Sequence, residues 1–171
     1  MRRIKRKVTD FYRIFHRWAG PVCLSLFLLL IRVVWGWQFF LAGRGKLSNI
    51  DKVVGFFRDS LHIPLPTFNA WLVAIVETFG GLLLLAGLAS RPVALALTIN
   101  MTVAYLTADR PAVHALFAEG DVTKFAAATP FWFWVTSILV LALGPGYFSA
   151  DAMLGRLLHH RSRESSPTAR D

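Results

Sequence analysis

Two stretches decide the reading of this chain: LLLIRVVWGW at 28–37 and LVAIVETFGG at 72–81. Both lie in apolar runs, and each carries one ionisable side chain, Arg32 or Glu77. A charge at bilayer depth costs about 2.5–3.5 kcal/mol on insertion scales unless it is paired or faces water. One charge of each sign therefore predicts a matched pair, facing the interior of a bundle of membrane-spanning helices.

The surrounding composition agrees. Of 171 residues, 55% are apolar, which suits a small integral membrane protein better than a soluble domain. The net charge of +9 is concentrated in MRRIKRKVTDFYRIFHR at 1–17 and RLLHHRSRESSPTAR at 156–170. Basic flanks beside apolar runs read as topology signals and contacts with anionic lipid headgroups. No nucleic-acid recognition motif accompanies them, so nucleic acid is not an expected partner. The single cysteine, Cys23, excludes an internal disulfide and any CxxC redox or zinc site. It reads as a small apolar residue near the start of a span. The basic N-terminus followed by apolar residues resembles a signal peptide. However, the apolar run continues past Arg32 to Leu41 without an A-x-A-like cleavage site, so an uncleaved span is expected.

The expected fold is all-α, an integral membrane four-helix bundle. Residues 1–20 form a basic cytoplasmic or interfacial arm, and 21–143 form the bundle, with spans at 21–42, 68–89, 92–108 and 130–143. Residues 144–160 form a Gly-Pro-Gly turn and a short interfacial helix, and 161–171 a disordered tail. Thr67 and Thr129 are candidate N-caps, Pro92 and Pro130 suit first helical turns, and Gly144-Pro145-Gly146 stops the last span. The short connection at 87–91 makes spans two and three antiparallel neighbours. Lys and Arg number seven in the arm, one in that turn and four in the tail, against four and two in the other loops. Both termini are therefore expected to be cytoplasmic. Ser48-Asn49-Ile50-Asp51 resembles a capping box, and Ile50, Val54, Phe57 and Leu61 then recur at helical spacing, predicting a short helix on the membrane surface. Asp109 is expected to cap a second short helix ending near Gly120. Trp71, Trp132 and Trp134 read as an interfacial aromatic belt.

Depth can be counted from the expected span starts. Arg32 lies 11 residues past Pro21, a rise of roughly 16 Å. Glu77 lies 9 residues past Phe68, roughly 13 Å from the opposite side, and Asn100 lies 8 past Pro92, roughly 12 Å. All three fall near the midplane of a core about 30 Å thick. Small residues accompany each one at helical spacing: Ser25, Gly36 and Gly43; Ala70, Ala74 and Gly81; Ala96 and Ala104. The expectation is a central Arg32–Glu77–Asn100 cluster, joined more weakly by Ser137. Such a cluster either fixes helix packing or handles a redox ligand and its protons.

These residues also carry a family resemblance. Arg32, Gly36, Gly43 and Lys46 form an R-x3-G…G-x2-K opening. Glu77-Thr78-Phe79-Gly80-Gly81, Gly87-Leu88-Ala89-Ser90-Arg91, Asn100-Met101 with Ala104-Tyr105, and Gly144-Pro145-Gly146 with Ser149 and Asp151 complete the pattern. In order and spacing they resemble the DoxX family of small four-helix membrane proteins, over about Leu26 to Leu154. The resemblance implies a bacterial inner-membrane protein. It also implies a place beside thiosulfate:quinone oxidoreductases or beside thiol-handling and oxidative-stress enzymes.

On this reading the chain is a membrane-anchoring or accessory subunit of a redox complex. An enzymatic role comes only as part of a quinone-linked oxidoreductase. It has no intrinsic cofactor; the ligand it would take is a quinone, with Arg32 or Asn100 on the carbonyl and Glu77 handling protons. Arg44, Lys46 and Arg91 are expected at headgroups or a partner protein, with Arg44 and Lys46 alternatively drawing an anionic substrate. His114, Glu119 and Asp121 lack tight metal-ligand spacing and read as solvated loop residues, and His159-His160 as an interfacial basic pair, so no metal site is expected. The expected partners are the bilayer, a redox protein and further copies of the chain. A non-catalytic assembly protein and a small transporter are the competing classes.

Overall fold

Helix α1 runs from Arg2 to Ser48 and passes straight through Pro21. The break expected there between an arm and a span is absent. A proline inside a helix forfeits one backbone hydrogen bond, but the apolar run that follows propagates the helix cooperatively across the gap. The computed structural model describes the backbone of residues 2–164 and the side chains of 19–157. The expected disordered tail is therefore answered in part. Helix α8, Ala150–Glu164, reaches into it, and 165–171 lie outside the described residues.

The other elements follow in order. Helix α2, Ile50–Gly55, continues as a π-helical turn over Phe56–Ser60. Helices α3, Pro66–Ala86, and α4, Ser90–Thr107, are joined by a tight turn. Helix α5, Arg110–His114, continues as a π-helical turn over Ala115–Glu119. Helix α6, Val122–Ala127, precedes α7, Pro130–Leu143. No strand occurs among the described residues. Two segments, Ala19–Ser48 and Pro66–Ala86, are long and apolar enough to cross a membrane, and α7 is a shorter apolar helix.

Proline and glycine set several of these limits. Pro66 and Pro130 open α3 and α7, where a missing N–H costs nothing. Thr67 lies inside α3 and does not cap it. The N-cap is Leu65, held left-handed at φ 50° between Pro64 and Pro66. Thr129 stands at the N-cap of α7, but with helical angles and no side-chain bond. Asn49 and Asp109 likewise precede α2 and α5 without capping bonds. At the end of α3, Gly87 takes φ 68°, and Leu88 N–H donates to Leu83 C=O, the bonding that a left-handed C-cap provides. Gly144, at φ 79°, ends α7 as the Gly-Pro-Gly reading expects.

Packing runs as a ring: α1 against α3, α3 against α4, α4 against α7, and α7 back against α1. The α1–α3 contact is the most extensive. Its register is fixed by glycines whose backbones touch the facing helix. A Cβ on Gly36 would stand 3.0 Å from Gly81 O, one on Gly43 2.9 Å from Ala74 O, and one on Gly81 2.5 Å from Phe40 N. Gly80 gives the same close approach to Leu97 of α4, at 3.1 Å. Between the four helices lies a dry layer of Phe39, Leu84, Ala94, Leu97, Met101 and Val140.

Several polar and small residues are buried beside the apolar core, while many large apolar side chains are exposed. Ser25, Arg32, Ala70, Ala74, Glu77 and Ser137 are buried, while Leu30, Trp37, Leu72, Phe79, Ile99 and Leu106 face outward. On α4 the buried stripe is Ala94, Leu97, Met101 and Tyr105. The expected stripe of Ala96, Asn100 and Ala104 is rotated away from it: Ala96 is exposed and the other two are half-buried.

The glycine contacts give a direct expectation. Gly81→Ala forces a methyl into the α1 backbone and should cost about 1–3 kcal/mol of overpacking strain. Gly45→Ala meets nothing within 4 Å and should be neutral. Thermal unfolding of the detergent-solubilised protein, followed by size-exclusion chromatography, separates the two.

Candidate functional site

The α1–α3 register decides which charges meet. Lys46 lies one turn beyond Gly43 on the same face, so its side chain reaches α3 beside Thr78 and Ala74. There its Nζ donates to Glu77 Oε2. Glu77 is 3% exposed and Lys46 31%. On α4, one turn from the Gly80–Leu97 contact, Asn100 Nδ2 donates to Glu77 Oε1 at 3.1 Å. Both carboxylate oxygens are thus engaged, one by an ammonium and one by an amide. Because the carboxylate takes an N–H of Asn100, the amide oxygen Oδ1 is left as a free acceptor.

This triad opens into a cavity of about 470 Å³. Phe39, Val73, Met101 and Phe133 wall it, and Phe57 and Leu61 lie over it. Lys52 and Asp109 bring a further charge of each sign to its lining. The result is an apolar chamber with a few convergent polar groups, the usual form of a small-molecule site. Lys46 has three ammonium protons and spends one on Glu77. The floor therefore offers donors and an acceptor while its formal charges cancel. Such a floor suits a neutral, hydrogen-bonding head group better than an anion.

Arg32 stands elsewhere. It lies one turn before Gly36, at the level where α3 ends, and the missing Cβ of Gly87 makes room for its Nη1. Eleven residues of α1 separate it from Gly43, a rise of roughly 16 Å. The expected Arg32–Glu77 pair does not form. Depth counted from Pro21 misplaced Arg32, because α1 does not begin there. Fully buried, Arg32 donates from Nη2 to Phe148 O at 2.6 Å and from Nε to Leu28 O at 3.3 Å.

The chain from Gly144 to Asp151 straps across this end. Asp151 accepts from Ala89 N and Ser90 N, both at 2.8 Å, and so caps α4 from outside its own sequence. Its own N–H donates to Gly87 O at 3.0 Å, and Tyr147 N–H donates to Ser25 Oγ at 3.2 Å. Burial alone would raise the Asp151 carboxyl. The hydrogen bonds from Ser90 and Ala89, with Arg32 nearby, outweigh it and hold the carboxyl below its ordinary range.

The remaining expected residues fall outside both centres. Ser137 donates to Phe133 O of its own helix and does not join the cluster. Arg44 is exposed, and Arg91 is exposed beside Gly144. His114, Glu119 and Asp121 gather on Lys124: Nζ lies 2.9 Å from Glu119 and 3.6 Å from Asp121, and His114 lies 3.9 Å from Glu119. The hydrogen bond to Glu119 raises the Lys124 pKa, and Lys124 N–H donating to Asp121 lowers that carboxyl. The side chains of His159 and His160 lie outside the described residues. What sequence reasoning missed was Lys46 as the partner of Glu77; the signal was its place one turn beyond Gly43. It also missed that Phe57 and Leu61, just after α2, line a cavity.

Comparison with known proteins agrees with this arrangement of motifs. The family model for DoxX matches residues 27–110, which include Arg32, Lys46, Glu77 and Asn100. The strap at 144–151 lies beyond that match. The chain is 32% identical over 120 residues to "Putative oxidoreductase CatD" of Bacillus subtilis (strain 168), covering 70% of this chain and 86% of that protein. No solved structure matches. The chain belongs to the DoxX family.

Two expectations follow from the geometry. A double-mutant cycle between Lys46→Met and Glu77→Met should show a coupling within the usual range of about 0.5–3 kcal/mol for touching residues. The cycle between Arg32→Met and Glu77→Met should be additive within about 0.5 kcal/mol. Unfolding in detergent measures both. The second concerns pH. A carboxyl whose folded pKa is depressed stabilises the fold above its unfolded value of about 4 and loses that contribution as pH falls through the folded value. Acidification into that range should lower the melting temperature of the wild type. Asp151→Asn should start lower at neutral pH and show a smaller acid-induced fall.

Proposed function

We propose that this DoxX-family protein crosses the bacterial inner membrane four times and serves as the membrane subunit or accessory of a quinone-linked redox complex. Helices α1, α3, α4 and α7 are the spans, with both termini cytoplasmic. The outward-facing Leu, Ile, Phe and Trp side chains support a lipid setting, and the basic ends support that orientation. The strap and the α3–α4 turn then lie at the cytoplasmic face. The α1–α3 and α4–α7 connections lie at the outer face.

The observation that carries the redox reading is the Lys46–Glu77–Asn100 floor of the cavity. A quinone head is planar and neutral, with carbonyl oxygens that accept hydrogen bonds. The free ammonium protons of Lys46 suit such a carbonyl, and the apolar walls suit the ring and the start of its tail. When bound, a quinone supplies the electron-accepting chemistry, with protons added to its oxygens. Glu77, whose two carboxyl oxygens face Lys46 and Asn100 at the cavity floor, is the group placed to hold or pass a proton at Oε1 and Oε2. Arg32 is withdrawn from this role, since its guanidinium is held at the strap by the Leu28 and Phe148 carbonyls, away from the cavity lining.

The test is direct titration of the purified protein with a short-chain quinone, read by tryptophan fluorescence. Saturable binding is expected. Lys46→Met should weaken it about tenfold, the loss of one charge-assisted hydrogen bond. Arg44→Ala, at an exposed site, should leave it unchanged. An absence of saturable binding, with the fold intact, would favour the non-catalytic assembly reading.

A further inference from the structure

The Lys46–Glu77 floor has two unequal sides. Toward the outer connections it faces the cavity, whose lining includes the charged Lys52 and Asp109 and the polar Asn69 and Thr107. Toward the strap it meets the dry layer. Phe39, Leu84, Ala94, Leu97 and Val140 are all 0% exposed, and they span α1, α3, α4 and α7 at one level. At that level the backbones of Gly36 and Gly81 already touch, so no side chain or water separates α1 from α3. The hydroxyls of Thr78, Thr98 and Ser137 each donate to a carbonyl of their own helix, at 2.7, 2.7 and 2.8 Å. They offer no chain of donors across the layer. Below it comes Arg32, whose bonds lead to Leu28 and Phe148; its Nη1 and Ser90 Oγ are buried without partners on the strap side of the layer.

We infer that the Lys46–Glu77 site exchanges protons with the outer aqueous phase alone, sealed from the cytoplasmic side by the Gly36–Gly81 contact and the Phe39–Leu84–Leu97–Val140 layer. The inference rests on the quinone reading for its consequence. Reduction of a quinone by two electrons from the reduced centre of a partner redox protein adds two protons, one to each oxygen, and gives the quinol. Those protons enter from outside through the cavity. Oxidation of a quinol in the same place returns them to the same side. The charged groups facing Glu77 along the route are Lys46 beside it and Lys52 and Asp109 in the cavity lining. Among the described residues, Arg32 is the first charged group on the sealed side.

The experiment uses the full chain with Cys23→Ala, in sealed right-side-out and inverted membrane vesicles. Single cysteines at Ala42 and Ala104 line the cavity from two different helices, so misfolding of one leaves the other. Gly45→Cys and Gly155→Cys, which meet nothing within 4 Å, report the two membrane faces. A membrane-impermeant cationic thiosulfonate is the probe. Because thiol modification follows access, Ala42→Cys and Ala104→Cys should react faster by on the order of tenfold from the face that modifies Gly45→Cys. Equal reaction from both faces, or faster reaction from the Gly155→Cys face, overturns the inference. Protection of Ala104→Cys by a short-chain quinone is scored separately. One-sided labelling without protection leaves the sealed floor standing and rejects the quinone.

Discussion

The close approach of α1 and α3 at Gly36, Gly43 and Gly81 is the constraint on which the rest of the structure depends. Three missing side chains let the two backbones touch, and each contact admits one register only. A shift by one residue would bring side chains such as Phe40 or Leu82 into spaces sized for hydrogen. Once the register is set, the electrostatics follow. Lys46, one turn past the last glycine of α1, comes to Glu77. Arg32, one turn before the first, comes to Gly87. Neither charge selects its partner from a distance; close packing delivers each to its place.

The two charged centres are then used differently, and the difference matches the side chains. Arg32 has a rigid fork of donors and is fixed to a backbone carbonyl of the strap, with Asp151 as a nearby opposite charge. It closes the strap end of the bundle by tying α1 to the Gly144–Asp151 segment, while Asp151 ties that segment to α4. Lys46 is a point charge on a flexible stem, partly exposed to a cavity. It can pair with Glu77 and still present protons to a guest. The first centre is enclosed, with Arg32 Nη1 and Ser90 Oγ buried there without partners among the described residues, and the second opens onto a cavity.

Much of this was legible in the sequence. Spans read at 68–89, 92–108 and 130–143 correspond to helices Pro66–Ala86, Ser90–Thr107 and Pro130–Leu143. Proline at a helix start and glycine at its end act through the local backbone, so the sequence shows them directly. The Glu77–Asn100 contact was legible too, because the short α3–α4 turn fixes the register of its two helices. The Arg32–Glu77 pairing was not. It needed the true level of α1, and Pro21 gave a false origin that only the glycine contacts with α3 correct. Nor could the pattern on α4 show that Asn100 and Met101 border a cavity while Ala94 and Leu97 fill the core. Helical periodicity identifies faces but not what covers them. The same limit applies to Phe57 and Leu61: apolar residues at helical spacing read alike whether they meet lipid or line a chamber.

The ion pair at the cavity floor is a poor device for holding helices together. Removing two charges from water costs several kcal/mol, and their attraction repays this only in part. An apolar pair of similar size would pack α1 against α3 at least as well. The contacts that hold this fold are complete without it: the glycine approaches lie on either side, and the dry layer lies beneath. Asn100, too, spends a donor on Glu77 rather than turning toward α7. Three polar groups are thus gathered at a site where packing does not require them, at the end of a large apolar chamber. Their arrangement is explained by what they offer to the space above them.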